Sequence, residues 1–187
     1  MMLLFRIFVF FFCACFIVGA KQALADDVGY TMHPPGLSVP SGKPGEIRRS
    51  IMQFQYWTLI CDENIPLKKM VCNVTQSIHD KDGKVVFSWS LGATEEGIPF
   101  LLFRTLPNTD KSQPIRLTFD GLDKVVGVDV EECDPTVCLG QSIVGSLLMP
   151  QIEKSKTAHI SYRLTNGEKI TFDASFEGLN EAVSSIK

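Results

Sequence analysis

The stretch Met70–Leu91, MVCNVTQSIHDKDGKVVFSWSL, decides the fold. Up to Ile78 its residues alternate: Cys72, Val74 and Ile78 share one face, while Asn73, Thr75 and Ser77 share the other. Strand side chains point to opposite faces with a period of two, so this is the pattern of a half-buried strand. Asp80-Lys81-Asp82-Gly83 follows, a composition that turns the chain back. Beyond it Val85, Phe87, Trp89 and Leu91 alternate against Val86, Ser88 and Ser90. The reading is an antiparallel hairpin with one apolar face. Gln76 is the odd member of that face: it shares parity with Cys72, Val74 and Ile78, so once buried its amide needs partners.

The same alternation continues outward from the hairpin. Upstream, Trp57, Leu59 and Cys61 share one parity. Downstream, Ile115, Leu117 and Phe119 oppose Arg116, Thr118 and Asp120, and Val126, Val128 and Val130 form another inward set. Ile160, Tyr162 and Leu164 lead into Asn166-Gly167, a strong hairpin signal, and Ile170, Phe172, Ala174 and Phe176 return from it. Pro99–Thr105 is a continuous apolar run, as expected of a strand covered on both faces. Short strands separated by turn residues describe a mainly β fold, a two-sheet sandwich or a barrel. Its expected core includes Trp57, Phe87, Trp89, Phe119 and Phe172. Two short helices are expected, one over Ser142–Lys154 broken near Pro150 with Ser142 as its N-cap, the other around Leu179–Ile186.

The N-terminus is a different kind of sequence. Of the first 25 residues 21 are apolar, against 63 of the remaining 162. Met1–Arg6 is weakly positive, Ile7–Ala20 is an apolar run, and Ala23-Leu24-Ala25 is a small-x-small motif before Asp26-Asp27. This reads as a secretory signal over residues 1–25, cleaved between Ala25 and Asp26. An uncleaved anchor would need a longer run. A lipoprotein would attach at Cys15, but Phe12-Cys13-Ala14-Cys15 lacks the Leu that such a signal carries. Residues 26–46 then contain eight Gly or Pro and read as a flexible tail, so their removal is expected to leave stability unchanged. The domain proper is residues 47–187.

Cleavage would leave 16 basic against 21 acidic side chains, a net −5, which argues against a nucleic-acid partner. The adjacent basic pairs Arg48-Arg49 and Lys68-Lys69 read as solvated strand or loop ends. Cleavage also leaves four cysteines, Cys61, Cys72, Cys133 and Cys138. In an oxidising compartment these read as two disulfides, and short separations favour Cys61–Cys72 with Cys133–Cys138 among the three connectivities. Their spacings match neither the C-x2-C knuckle of structural zinc nor a redox C-x-x-C, so no metal or cofactor is expected.

Catalytic material is sparse. His33 lies in the tail beside Pro34-Pro35, His79 precedes the hairpin turn, and His159 has outward parity on its strand. Gly140, Ser142 and Gly145 form G-x-S-x-x-G, one residue too long for a nucleophile elbow. Gly36 and Gly42-Lys43 miss phosphate-loop spacing, and Asp80-x-Asp82-Gly83 lacks the later acid of a calcium loop. Asn73-Val74-Thr75 is a formal glycosylation acceptor placed mid-strand. The expectation is a protein that is not an enzyme.

Trp57-x3-Cys61, Cys72-x-Val74-x-Gln76, the Cys133…Cys138 pair followed by a short helix, and Phe176-Glu-Gly178-Leu179-x-x-Ala182 resemble, in order and spacing, the invasion-associated locus B family. The resemblance spans about Phe54 to Ile186. It implies an exported, Ig-like antiparallel β-sandwich with structural disulfides, an alphaproteobacterial envelope location, and a link to host-cell invasion. No enzymatic activity or cofactor comes with it. The sequence departs from the family at Val137, where Gly usually precedes the last cysteine, and over Thr105–Ile115, which is more polar. The functional expectation is protein–protein contact in the periplasm or at the outer surface of a Gram-negative envelope, outer-membrane association included. The alternative is a periplasmic housekeeping or chaperone-like factor that pairs along a sheet edge. The Asp80–Gly83 tip, the Thr105–Pro114 loop and the acidic Glu131–Asp134 stretch are the candidate contact surfaces.

Overall fold

The computed structural model describes residues 29–33, 43, 45–94, 96–154 and 156–186. The expected secretory signal over residues 1–25, its expected Ala25/Asp26 cleavage, and Cys13 and Cys15 lie outside them. In chain order the described elements are β1 (Thr31–His33), β2 (Ile47–Phe54), β3 (Trp57–Asn64), β4 (Lys69–His79), β5 (Val85–Ala93), β6 (Pro99–Thr105), β7 (Ile115–Phe119) and β8 (Leu122–Val128). They continue with β9 (Glu132–Cys133), β10 (Cys138–Ile143), α1 (Met149–Glu153), β11 (Thr157–Arg163), β12 (Lys169–Ser175) and α2 (Leu179–Ser184). The strands form two antiparallel sheets. The large one runs β2-β3-β4-β5-β6-β10-β9 with β1 also on β4, and the small one runs β12-β11-β7-β8. The fold is therefore a two-sheet β-sandwich.

The deciding hairpin is β4–β5, with one slip in register. Gly83 takes φ +78° in its turn, while Asp80 Oδ1 accepts bonds from the backbone N–H of Asp82 and Lys84. Ile78 then faces Phe87, yet His79 faces Val85, so Val86 is the extra residue of a β-bulge. That bulge corrects the alternation read at the strand's start. Val86 is buried at 5% exposure and Val85 is outside at 45%. Past the bulge, Phe87 and Trp89 regain the core.

Trp57, Phe87, Trp89, Phe119 and Phe172 are all buried. The inner faces meet through an aromatic stack. Trp57 and Trp89 from the large sheet lie 5.3 Å apart at 24°, Phe176 just past β12 lies 4.9 Å from Trp89, and Phe119 follows 6.0 Å beyond. Gln76 is fully buried in this layer: Trp89 Nε1 donates to Gln76 Oε1 at 3.0 Å, and Gln76 Nε2 donates to the Ser175 carbonyl at 3.1 Å. Trp57 Nε1 donates to the same carbonyl at 2.9 Å. Tyr162 OH reaches across to the Val86 carbonyl at 2.6 Å, and burial pushes its phenol pKa up. The polar parity of β4 is covered as well. Thr75 is buried and hydrogen-bonded to the Trp89 carbonyl and to Ser90, which in turn accepts from Arg104.

Both disulfides, Cys61–Cys72 and Cys133–Cys138, join directly opposed residues of neighbouring strands, β3 with β4 and β9 with β10. Their Cα separations of 4.1 and 3.9 Å belong to the narrow, non-hydrogen-bonded kind of antiparallel pair. They staple strands within the large sheet and do not bridge the two sheets. Val137 needs no glycine substitute, because its φ is not positive and Asp134 closes the turn. The Asp134 carboxylate accepts from the N–H of Thr136 and Val137 and from the Thr136 hydroxyl.

Three further expectations are corrected. Residues 26–46 are not simply a tail, since Thr31–His33 pair with Ser77–His79 as β1. β3 begins at Trp57, and its pairing reaches β4 only as far as Thr75, so the end of β4 has a free edge that three residues suffice to fill. Tyr30 beside them packs edge-on against Phe172 at 5.8 Å. The helix expected from Ser142 is shorter: Ser142 belongs to β10, paired with Leu101, and α1 starts only after Leu148 with Pro150 in its first turn. A proline there lacks a donor that the first turn does not need, so it opens the helix instead of breaking it. β6 is covered fully on one face only, with Leu101, Phe103 and Thr105 buried and Phe100, Leu102 and Arg104 half-buried.

Replacing Gln76 by Met keeps its volume but leaves the Trp89 indole N–H without an acceptor. The expected cost is about 1–3 kcal/mol, read as a lower urea midpoint at unchanged m-value. Tyr30→Ala is expected to lower stability by about 1 kcal/mol through its lost ring contact. An unchanged midpoint would return residues 29–33 to the status of a tail.

Candidate functional site

The residues singled out as catalytic lures have structural roles. His33 pairs through its backbone with Ser77, and His79 Nδ1 lies 3.0 Å from the Gly83 carbonyl at the hairpin turn. Ser142 Oγ donates to the neighbouring Ile143 carbonyl at 3.4 Å, on β10. No group of three His, Cys, Asp or Glu side chains among the described residues is placed to hold a metal. Asn73 faces Ile60 within the sheet.

Nor do the candidate contact surfaces converge. The Asp80–Gly83 tip is a closed turn at one end of the sandwich. The Thr105–Pro114 loop carries the chain from β6 in the large sheet to β7 in the small one, and it is tied down. Thr109 is buried and bonded to Thr105 and Leu106, and Asp110 N–H donates to the Arg163 carbonyl. Glu131–Asp134 stays exposed along β9, at the edge of the large sheet.

A surface that the sequence did not single out is more open to a partner. At the end of the sandwich holding the β3–β4 and β5–β6 turns, the inner face of the large sheet is only partly covered by α2. A groove of about 320 Å³ remains between them. Its floor is Met70, Cys72 and Val74 of β4, Leu91 to Ala93 of β5 and Pro99 of β6, and its wall is Val183 and Ile186. None of these side chains is charged. Met70 in this lining is 45% exposed, and the turns next to it and to Pro99 carry exposed Leu67 at 65% and Ile98 at 46%. The turn carrying Leu67 closes β3–β4, and that carrying Ile98 closes β5–β6. Gly178 sets the position of α2: it takes φ +90°, and a Cβ there would stand 2.2 Å from the Phe54 carbonyl. Period-two reading gives Cys72, Val74 and Leu91 of this floor an inward face, but it does not encode what lies above a strand end.

The outer face of the small sheet is polar. His159 on β11 stands between two carboxylates, with Nδ1 2.7 Å from Asp173 Oδ1 and Nε2 3.2 Å from Asp120 Oδ1. Only the imidazolium can donate from both nitrogens, so these bonds raise its pKa, the Asp173 bond most, against some desolvation. In the large sheet the basic pair of β2 is also neutralised: Arg48 faces and pairs with Glu63, and Arg49 makes a two-pronged contact with Asp62 at 2.6 Å. No described helix is long and apolar enough to cross a membrane.

Fold and cross-links together define a class: a disulfide-stapled, two-sheet antiparallel β-sandwich. Residues 57–187 match the family described as Invasion associated locus B (IalB) protein, and the chain belongs to that family. The fold is similar to the crystal structure of invasion associated protein b from Bartonella henselae, with a TM-score of 0.61 at 16% identity, covering 72% of this chain and 92% of that one. No curated protein matches the chain.

The His159 clamp gives stability a defined pH dependence. Its folded pKa lies above the ordinary 6.5, so its contribution is complete below about pH 6.5 and fades as pH rises through the folded value. His159→Gln is therefore expected to lower the thermal midpoint at pH 5 and to change it little at pH 9. The effect should stay below about 1 kcal/mol at so exposed a site. An equal loss at both pH values would mean that the ring acts by packing alone.

Proposed function

We propose that this chain is an exported, non-enzymatic binding protein of the cell envelope that holds an apolar peptide segment of a partner protein in the groove beneath α2. The observation that carries this reading is the groove itself. It is uncharged, and its lining includes the exposed apolar side chains of Met70, Val183 and Ile186. Contiguous apolar surface of this kind marks contact sites more often than it marks solvent-facing fold. With no charged side chain in its lining, the groove suits an apolar segment better than an ionic ligand. Family membership supports a link to host-cell invasion, and the two disulfides support export to an oxidising compartment.

One observation favours the second reading, an envelope factor that assists exported proteins. β2 is an eight-residue strand at the edge of the large sheet, with Ile51 at 49% and Met52 at 40% exposure, and such an edge can accept an added strand.

Site-specific photo-crosslinking in intact cells separates the two. A crosslinker at position 186 is expected to yield discrete adducts that disappear on Leu91→Glu, while one at Thr171 on the opposite face yields none. Adducts from position 51 alone would put the edge-pairing reading first. Adducts from none of these positions, or equally from all, would remove the binding reading. Protease treatment of intact and of permeabilised cells then tells whether the partner is met outside the cell or in the periplasm.

A further inference from the structure

Cross-strand neighbours in this sandwich are matched in charge, with one exception. On β2–β3, Arg48 stands opposite Glu63 and Arg49 opposite Asp62. On β11–β12, Arg163 stands directly opposite Lys169, and both side chains are exposed. Arg116 of β7, opposite Ser161, is the diagonal neighbour of Arg163 on the same outer face. Like charges placed directly opposite one another destabilise a sheet, so the fold gains nothing from this arrangement. No ion pair relieves it: the described salt bridges include none of the three cations. Among the described residues, Arg163 donates to the Gly167 carbonyl, at 3.1 Å. The nearby Asp110 carboxylate feels Arg163, but it is engaged by the N–H and hydroxyl of Ser112.

The three cations line one hollow of about 260 Å³, floored by Ser161 and Tyr162 and rimmed by Gln113 and Pro114. We infer that this hollow is an anion site for a phosphate group, with Arg116 and Arg163 supplying forked donors, Lys169 a point charge and Ser161 a hydroxyl. Guanidinium groups match the oxygens of a tetrahedral anion in pairs, and a second negative charge suits three cations lining one hollow. The protein as a whole is acidic, with formal charge −3, so its long-range field does not attract anions and binding depends on this local cluster. The same chemistry is offered by a free phosphate and by a phosphate-bearing lipid headgroup.

The test is thermal unfolding of the intact oxidised protein in inorganic phosphate, against sodium chloride at equal ionic strength, which cancels simple screening. Phosphate is expected to raise the midpoint by about 3 °C or more once its concentration is tenfold above Kd. Arg163→Gln with Arg116→Gln should abolish that rise. Lys169→Thr should raise the midpoint in chloride, by removing the repulsion, and should also blunt the response to phosphate. Equal midpoints in phosphate and chloride, an undiminished response in the double variant, or a lower midpoint for Lys169→Thr in chloride would each overturn the proposal. Co-sedimentation with phosphatidylcholine vesicles, with and without phosphatidic acid, then distinguishes the sources. Binding that requires phosphatidic acid and is lost in the double variant indicates a headgroup, and a phosphate response without vesicle binding indicates a soluble phosphate compound.

Discussion

The carbonyl of Ser175 fixes how the two sheets sit on one another. It ends β12 in the small sheet and accepts two side-chain donors from the large one, Trp57 Nε1 and Gln76 Nε2. Apolar packing alone would let two flat inner faces slide, because burial is not directional. Two donors converging on one backbone oxygen remove that freedom. Gln76 extends the constraint by accepting from Trp89, so both indoles of the stack are held through one acceptor chain. Phe176, the next residue in sequence, is thereby brought against Trp89, and Gly178 two positions on turns the chain into α2. These hydrogen bonds thus tie the end of β12 to β3 and β4 just ahead of the turn at Gly178 that leads into α2.

The disulfides act on a different axis. Each links strands that are already neighbours in the large sheet, so neither contributes to joining the sheets. Cys133–Cys138 secures the two-residue β9, which has little else to hold it at the edge. Cys61–Cys72 secures β3 to β4 where the small sheet no longer covers them, and Cys72 forms part of the groove floor. Cross-links are thus placed where packing is thin, and by the chain-entropy account each contributes roughly 2–3 kcal/mol by restricting the unfolded chain.

What could be read from the sequence follows from what period-two alternation encodes. It identifies which residues face inward, so Trp57, Trp89, Phe119 and Phe172 could be assigned to the core and Gln76 marked as needing partners. It does not encode which sheet a strand joins or where pairing slips. Val86 became buried because a bulge shifted parity by one. Thr31–His33 became a strand because β4 outruns β3, a fact about two other elements. Ser142 carried a capping signal, but β6 offered it a strand partner in Leu101. The groove was illegible for a related reason. Its residues are ordinary core types, and their exposure is a property of the missing cover.

That missing cover follows from the unequal sheets. A sandwich of two equal sheets buries both inner faces completely, whereas here seven strands in series face four. Among the described residues, the helices outside the sheets that can cover the overhang are the short α1 and α2. α2 packs over β2, β3 and β4, and its Val183, with Ile186 just beyond it, borders the groove left over the ends of β4, β5 and β6. A longer helix would close the groove. It would also bury Val183 and Ile186, now exposed at 40% and 42%. Since burying such side chains would stabilise the fold, their exposure is a cost that the fold does not require, and a partner that covers them would recover it.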